Sequence, residues 1–471
     1  MRMKRQAQRA LDFSGTHLTI TKEYYAKYRA ISTFLEKSPE IVDLVHKDLA
    51  SPLARVNRRA GRGGRQHQFS SENVLRILLC QVIEGESLRG IVVRIDDSHL
   101  LRRFVGVDYA AMMDFTTLCK LKNAIRPETW HEVNRRLAER ALKEELIEGT
   151  RLRVDTTAVE TNIHYPTDSS LLWDVYRVLA RLIVKLREID GDLVGSRRLQ
   201  TRRAKRLQQK IARRAAKKRH DRDRLKPLYS ELIRLVEEVV SWTVELRDAI
   251  KRGEETSCRD ALDVVKIEAI GREMDHYASL AGRVVGQARR RVLQAESVPN
   301  AEKIFSIFEE HTELLIRGKA GKEIEFGHMV QIEQVGSKFI TGYEVYETKP
   351  IEYEQVDGVL KRHAALFGKH PEEFSADKGY YESTEALAKL RTKVPVVSIA
   401  KKGRRTEAET AIEHDPLFRH AQRFRAGVEG TISFLKRILR LARCFNKGWN
   451  HFAATVAQTV FAHNLIILAR C

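Results

Sequence analysis

Residues 149–165 read GTRLRVDTTAVETNIHY, and the fold turns on this stretch. Leu152 and Val154 alternate with Arg153 and Asp155, the period of two that marks a half-buried strand. Upstream the apolar residues recur at helical spacing, so a second kind of domain opens at Gly149. From about Ser170 to Gln294 the helix period returns. Leu172, Val175, Leu179, Leu182, Leu186 and Ile189 form one stripe; Leu232, Leu235, Val239 and Trp242 form another, and long antiparallel helices are expected. Strands resume at KEIEFGHMVQIEQV (322–335) and KFITGYEVYE (338–347), with Gly336 and Ser337 between them as hairpin residues. A helix from about Tyr353 to Phe367 follows, then a short strand into FSADKGYYE (374–382) and a helix through Glu385 to Leu390. A strand at VPVVSIA (394–400) and a helical stretch from about His420 complete the order. One strand, a large helical insertion, then strands alternating with helices predict an α/β layer with a mixed sheet.

Toward the N-terminus, helical patterns at Lys22–Leu35 and Pro39–Leu49 precede RVNRRAGRGGRQHQ (55–68). Its arginines, Arg55, Arg58, Arg59, Arg62 and Arg65, sit among glycines, so it reads as a linker, either an arm along phosphates or a solvated loop. Ser70 to Leu146 is helical throughout, with Val74, Leu75, Leu78, Leu79 and Val82 on one stripe and start signals at Asp114 and Pro127. Short helices joined by tight turns permit a helix-turn-helix, and equally a structural cluster. The expected division is 1–69 for N-terminal helices and linker, and 70–148 for a helical domain that could bind DNA. It continues with 149–169 for the start of the α/β core, 170–300 for the insertion, 301–443 for the rest of the core, and 444–471 for a C-terminal helix.

At 471 residues the chain has length for about three domains and a sizeable core. Lys and Arg number 84 against 63 Asp and Glu, a net +21 that favours a polyanionic partner. More than half of that excess lies in 197–226, RRLQTRRAKRLQQKIARRAAKKRHDRDRLK. A helix this basic lacks acidic partners at i+4, so a bound polyanion explains it better than a solvated face. The expected DNA contacts here are Arg202, Arg203, Lys205, Arg206, Lys210, Arg213, Arg214, Lys217 and Lys218. Membrane binding fits less well, since the apolar positions are few: Leu199, Ala204, Leu207 and Ile211.

The basic N-terminal residues lead into no apolar stretch, and ATVAQTVFAHNLIILA near the C-terminus is broken by Gln, His and Asn. Cys80, Cys119, Cys258, Cys444 and Cys471 are odd in number, scattered and never in a C-x-x-C pair, against a disulfide framework or thiolate zinc site. A cytoplasmic, nucleoid-associated protein without a membrane is expected.

Asp155 closes LRVD, and Asp377 closes FSAD just before Lys378 and Gly379 turn the chain; carboxyl ends of strands are where open α/β sheets place their sites. A lone aspartate at such a point can equally be a cap. Glu429, in RFRAGVEGTISFLKR (423–437), shares a helical stripe with Arg425 and Lys436. Gly427 and Gly430 in that helix are costly unless something approaches closely. Three hard carboxylates without a His or Cys cluster favour Mg²⁺ or Mn²⁺, two ions suiting phosphodiester chemistry. His328, His164 and Tyr165 are weaker candidates, and packing is the better account of Trp173 and Trp449.

The chain resembles bacterial insertion-sequence transposases of the DDE class, in the ISNCY group. The resemblance is carried by RVDTTAVETNIHYPTDSSLLWD (153–174), RGKAGKEIEFGHMVQI (317–332), SADKGY (375–380) and GVEGTISFLKR (427–437). MDFTTLCKLKNAI (113–125) is similar to the end of the helical domain preceding catalysis in related transposases. The resemblance implies an RNase H-like core with Asp155, Asp377 and Glu429 as the acidic triad and metal ligands. In the related Y-x2-R-x3-E-x6-K signature Arg425, Glu429 and Lys436 match, while the tyrosine position is Gln422. Arg425, Lys436 and Lys378 would contact DNA. The expectation is therefore a transposase that cleaves inverted-repeat ends and joins them to target double-stranded DNA, dimeric when DNA is bound. A DNA-binding regulator without cleavage, or a metal-dependent nuclease without strand transfer, are the alternatives.

Overall fold

The computed structural model describes residues 18–58, 69–108, 112–216, 223–253, 261–319 and 322–470. Seven helices come first: α1 (Thr19–Glu36), α2 (Pro39–Arg58), α3 (Ser71–Ile83), α4 (Leu88–Asp97), α5 (His99–Val105), α6 (Phe115–Ala124) and α7 (Pro127–Lys143). Their starts follow local chemistry. Ser70 and Asn73 form a reciprocal capping box on α3, Ser87, Ser98 and Asp114 accept amide bonds at the starts of α4, α5 and α6, and Pro127 opens α7 where its missing N–H is no loss.

Strand β1 (Arg151–Thr161) leads to α8 (Asp168–Ile189), α9 (Gly191–Val194), α10 (Thr201–Ala215), α11 (Lys226–Arg252) and α12 (Ala261–Ala288). Next come β2 (Glu313–Lys319), β3 (Lys322–Val335), β4 (Ile340–Val345), α13 (Val356–Phe367), β5 (Glu373–Ser375), α14 (Thr384–Lys393) and β6 (Val396–Ser398). The chain finishes with α15 (Glu407–His414), α16 (Pro416–Arg437), β7 (Arg443–Cys444) and α17 (Trp449–Leu468). One mixed sheet has the order β2-β3-β1-β5-β6, with β4 on β3 and β7 on β1. β1–β5 and β5–β6 are parallel; β2–β3 and β3–β4 are antiparallel. The mixed α/β layer predicted from the sequence is present. Some details differ: the sequence pattern marks no element at β2, α15 or β7, and β1 runs six residues beyond Asp155 rather than ending there.

The described residues pack as two compact units, one drawn from 1–159, 329–446 and 450–471, the other from 160–328 and 447–449. In the second, α8, α11 and α12 share an apolar core built from the expected stripes, Leu172, Val175, Leu179, Leu182 and Leu186 with Leu232, Leu235, Val239 and Trp242. In the first, Leu152, Val154, Phe374 and Val397 from the strands pack with Val359, Leu360 and Tyr380.

Helix α17 is long and apolar enough to cross a membrane by length and composition, yet 78% of its apolar window is buried within the protein. The polar residues that break its apolar run are what join it to its neighbours. Gln458 donates to the Leu78 carbonyl at 2.9 Å, His463 Nε2 meets the Lys338 carbonyl at 3.1 Å, and Asn464 bonds both the amide and the carbonyl of Ile340. Buried polar groups satisfied in this way belong to a core helix.

Candidate active site

The β1–β5 register pairs Arg151 with Glu373, Leu152 with Phe374 and Arg153 with Ser375. Two residues further along each strand stand Asp155 and Asp377. Side chains alternate faces with a period of two, so the parallel register delivers both aspartates to the same end of the pair, just past the last residue of β5. Each uses its Oδ1 on a backbone amide: Asp155 accepts from Thr156 N–H at 2.8 Å, and Asp377 accepts from Gly379 N–H at 2.7 Å and caps the short 3-10 turn Lys378–Tyr380. For Asp377 the cap role and the strand-end position therefore coincide, whereas Asp155 lies within β1.

Helix α16 packs on β5 and β6, held by Gln422 Nε2, which donates to the Ser398 carbonyl at 2.9 Å, and by the Phe424 carbonyl, which accepts from Arg153 Nη1 at 2.6 Å. Gly427 lets that guanidinium in, since a Cβ there would overlap Arg153 Nη1. This seating turns Arg425 inward. Its Nη1 lies 3.6 Å from Asp155 Oδ2 and its Nη2 donates to Glu429 Oε1 at 3.0 Å, while Glu429 itself is 64% exposed. Glu429 reaches Asp155 through Arg425.

A fourth carboxylate, which no sequence motif marks, belongs to the same group. Glu352, in the 3-10 turn Glu352–Gln355 before α13, accepts a hydrogen bond from the Thr156 hydroxyl, and its other oxygen lies where a Cβ on Gly379 would sit. Only the packing of its turn against the Lys378–Tyr380 turn brings it there. Burial, then the negative charge of Asp377, pushes the Asp155 carboxyl up to about 6; Arg425 and the Thr156 amide oppose this, and Glu352 adds to it. The Tyr380 hydroxyl is buried and has no hydrogen-bond partner among the described residues, and desolvation followed by Glu352, Asp155, Tyr346 and Asp377 holds its pKa well above the ordinary value.

Among the described residues no three His, Cys, Asp or Glu side chains are already grouped to hold a metal ion. The donor chemistry nevertheless fits a hard divalent cation: carboxylate oxygens whose mutual repulsion a cation relieves, beside an orphaned buried hydroxyl. Asp155 and Asp377 would hold it.

Lys378 is exposed on the turn after Asp377, and Lys436 is half-buried on α16. In the other unit, Ala204, Leu207 and Ile211 of α10 are buried in the helical core, so its apolar stripe is taken up by packing. Arg202, Lys205, Arg206, Lys210, Arg213 and Arg214 are exposed, and none has an acidic partner among the described residues. Arg203 differs, donating from Nε to Glu231 at 2.7 Å. Lys217 and Lys218 lie outside the described residues. His328 is buried, with its Nε2 2.8 Å from His311 Nδ1 and its ring against Trp449. His164 meets Asp174 at 2.6 Å, Tyr165 packs edge-on to Phe326 and Trp173 stacks on Tyr176.

Residues 23–124 match the family model described as a transposase domain (DUF772). The match covers most of α1 and continues through α6. No curated protein and no solved structure matches the chain.

Proposed function

We propose that this chain is a DNA transposase of the DDE class, cutting the ends of an insertion sequence and joining them to target DNA on an RNase H-like core. The observation that carries the reading is the β1–β5 register, which brings Asp155 and Asp377 to one end of the strand pair, with Arg425 of α16 against Asp155 and linking it to Glu429. The match of 23–124 to a transposase domain supports it from a separate part of the chain. Asp155 and Asp377 would bind Mg²⁺ or Mn²⁺, with Glu429 joining when phosphate draws Arg425 away. Bound divalent ions supply activation of the attacking oxygen and stabilisation of the leaving one. Arg425, Lys378 and Lys436 bind and orient the phosphates. In the first step a water oxygen bonds to phosphorus as the bond to the 3′ oxygen breaks, freeing a 3′-hydroxyl. In the second, that hydroxyl attacks a target phosphodiester, forming one P–O bond as another breaks. Pairing two ends calls for at least a dimer on DNA, and the exposed cations of α10 supply sequence-independent contacts to the duplex.

The test is cleavage and joining of labelled element-end DNA with Mg²⁺ or Mn²⁺, by wild type and by Asp155→Ala, Asp377→Ala and Glu429→Ala. Wild type should cut and join, and each variant should bind DNA while doing neither. Binding without cleavage by wild type would point to a regulator, and cleavage without joining to a nuclease. A variant with full activity removes that residue from the triad.

A further inference from the structure

Glu352 and Tyr380 stand at the acidic end of the sheet without a task in the reaction just described. Three features fix the Glu352 carboxylate there: the Thr156 hydroxyl that donates to it, next in sequence to Asp155; the side-chain-free Gly379, two residues after Asp377; and the 3-10 turn that carries it. A third anion beside two aspartates is repulsive, and the Arg425 guanidinium that could relieve it is shared between Asp155 and Glu429. Tyr380 supplies an independent observation. It is 2% exposed, its hydroxyl has no partner among the described residues, and it lies within electrostatic reach of Glu352, Asp155 and Asp377. Leaving such a hydroxyl buried and unpaired is unfavourable.

One ligand answers both. Mg²⁺ and Mn²⁺ retain waters when bound by one or two carboxylates, those waters are strong hydrogen-bond donors, and a carboxylate and a phenol oxygen are acceptors. We propose that Glu352 and Tyr380 are positioning residues that accept hydrogen bonds from the waters of a divalent cation held by Asp155 and Asp377. This rests on the proposed function at one point, that the cation sits on the two aspartates.

The test is Mn²⁺ binding to the full-length protein without DNA, followed by the loss of the free-ion paramagnetic resonance signal, with melting curves in chelator alongside. Asp155→Asn and Asp377→Asn should abolish binding. Glu352→Gln should weaken it roughly 10-fold, the usual effect of removing a group that orients a metal's ligands, and Tyr380→Phe should weaken it measurably. Glu352→Gln should melt no lower than wild type in chelator, because it removes repulsion; a merely structural glutamate would lower the melting temperature and leave the affinity alone. If Glu352→Gln fails to fold, Tyr380→Phe, which removes one oxygen, carries the test. Wild-type affinity in both variants, with binding lost in the aspartate variants, overturns this inference and leaves the catalytic reading standing. Wild-type affinity in all four overturns the cation site itself.

Discussion

His363 and His463 have the same chemistry in one unit of the protein. Each points a ring nitrogen at a backbone carbonyl, Gly149 at 2.9 Å and Lys338 at 3.1 Å, so that nitrogen carries the proton, and each leaves its Nδ1 buried without a partner among the described residues. Burial pulls both down to about 4. The unfolded chain binds a proton at each near 6.5 while the folded chain does not, so stability is full above 6.5 and lost as the pH falls from there through 4. Each histidine should contribute at most roughly 3 kcal/mol to that loss. Urea unfolding at about pH 7 and about pH 4.5 checks this: His363→Gln should lose less stability between the two than wild type, and an equal loss would remove the histidine from the account. The same scale shows how far the site was legible. Asp155 and Asp377 stand out in the sequence at expected strand ends and Glu429 on a helical stripe with two cations, whereas Glu352 sits in IEYEQV with nothing to distinguish it from a surface glutamate.

At the level of elements, α16 separates two glycines that the sequence presents alike. Gly427 admits the Arg153 guanidinium, which bonds the Phe424 carbonyl and Gln334, whereas Gly430 faces open space. Gly427→Ala should therefore destabilise by about 1–3 kcal/mol through displacement of a buried guanidinium, and Gly430→Ala should stabilise by up to about 1 kcal/mol. Thermal melting of the two variants settles it, and equal shifts would contradict the geometry. Strand β3 is readable because Lys322–Val335 is long and sits next to a hairpin signal. β2 is not, because Leu314, Leu315 and Ile316 are three apolar residues in a row: Leu315 is buried and Ile316 59% exposed, yet residue type shows no period of two. For β1 the alternation reveals the strand but not its end: β1 continues beyond the reach of its parallel neighbour, so Asp155 marks where β5 stops.

Over the whole molecule, charge sets the expected behaviour toward DNA. With a net +21 and an α10 whose apolar face is buried and whose outer face is cationic, DNA affinity should fall steeply with salt. Replacing Arg202, Lys205, Arg206 and Arg213 together by glutamine should weaken binding at low salt and reduce the slope of log affinity against log salt by about 3–4, at roughly 0.9 for each phosphate that is no longer neutralised. The fold should survive, since Ala204, Leu207 and Ile211 hold the helix. An unchanged slope, measured by fluorescence anisotropy on duplex DNA across a salt series, would assign DNA contact elsewhere.

The sequence by itself determined most of the helices and, β2 and β7 apart, the strands, because apolar periodicity and caps act within a few residues; α15 escaped it. It also determined where the positive charge concentrates, because charge is additive along the chain. What only the tertiary structure decided is which side chains share a space. The two-residue offset beyond the β1–β5 register brings Asp155 to Asp377, the packing of α16 on β5 and β6 brings Arg425 between Asp155 and Glu429, and the meeting of two 3-10 turns adds Glu352. Each of these depends on contacts between residues far apart in sequence, whose partners no local pattern specifies.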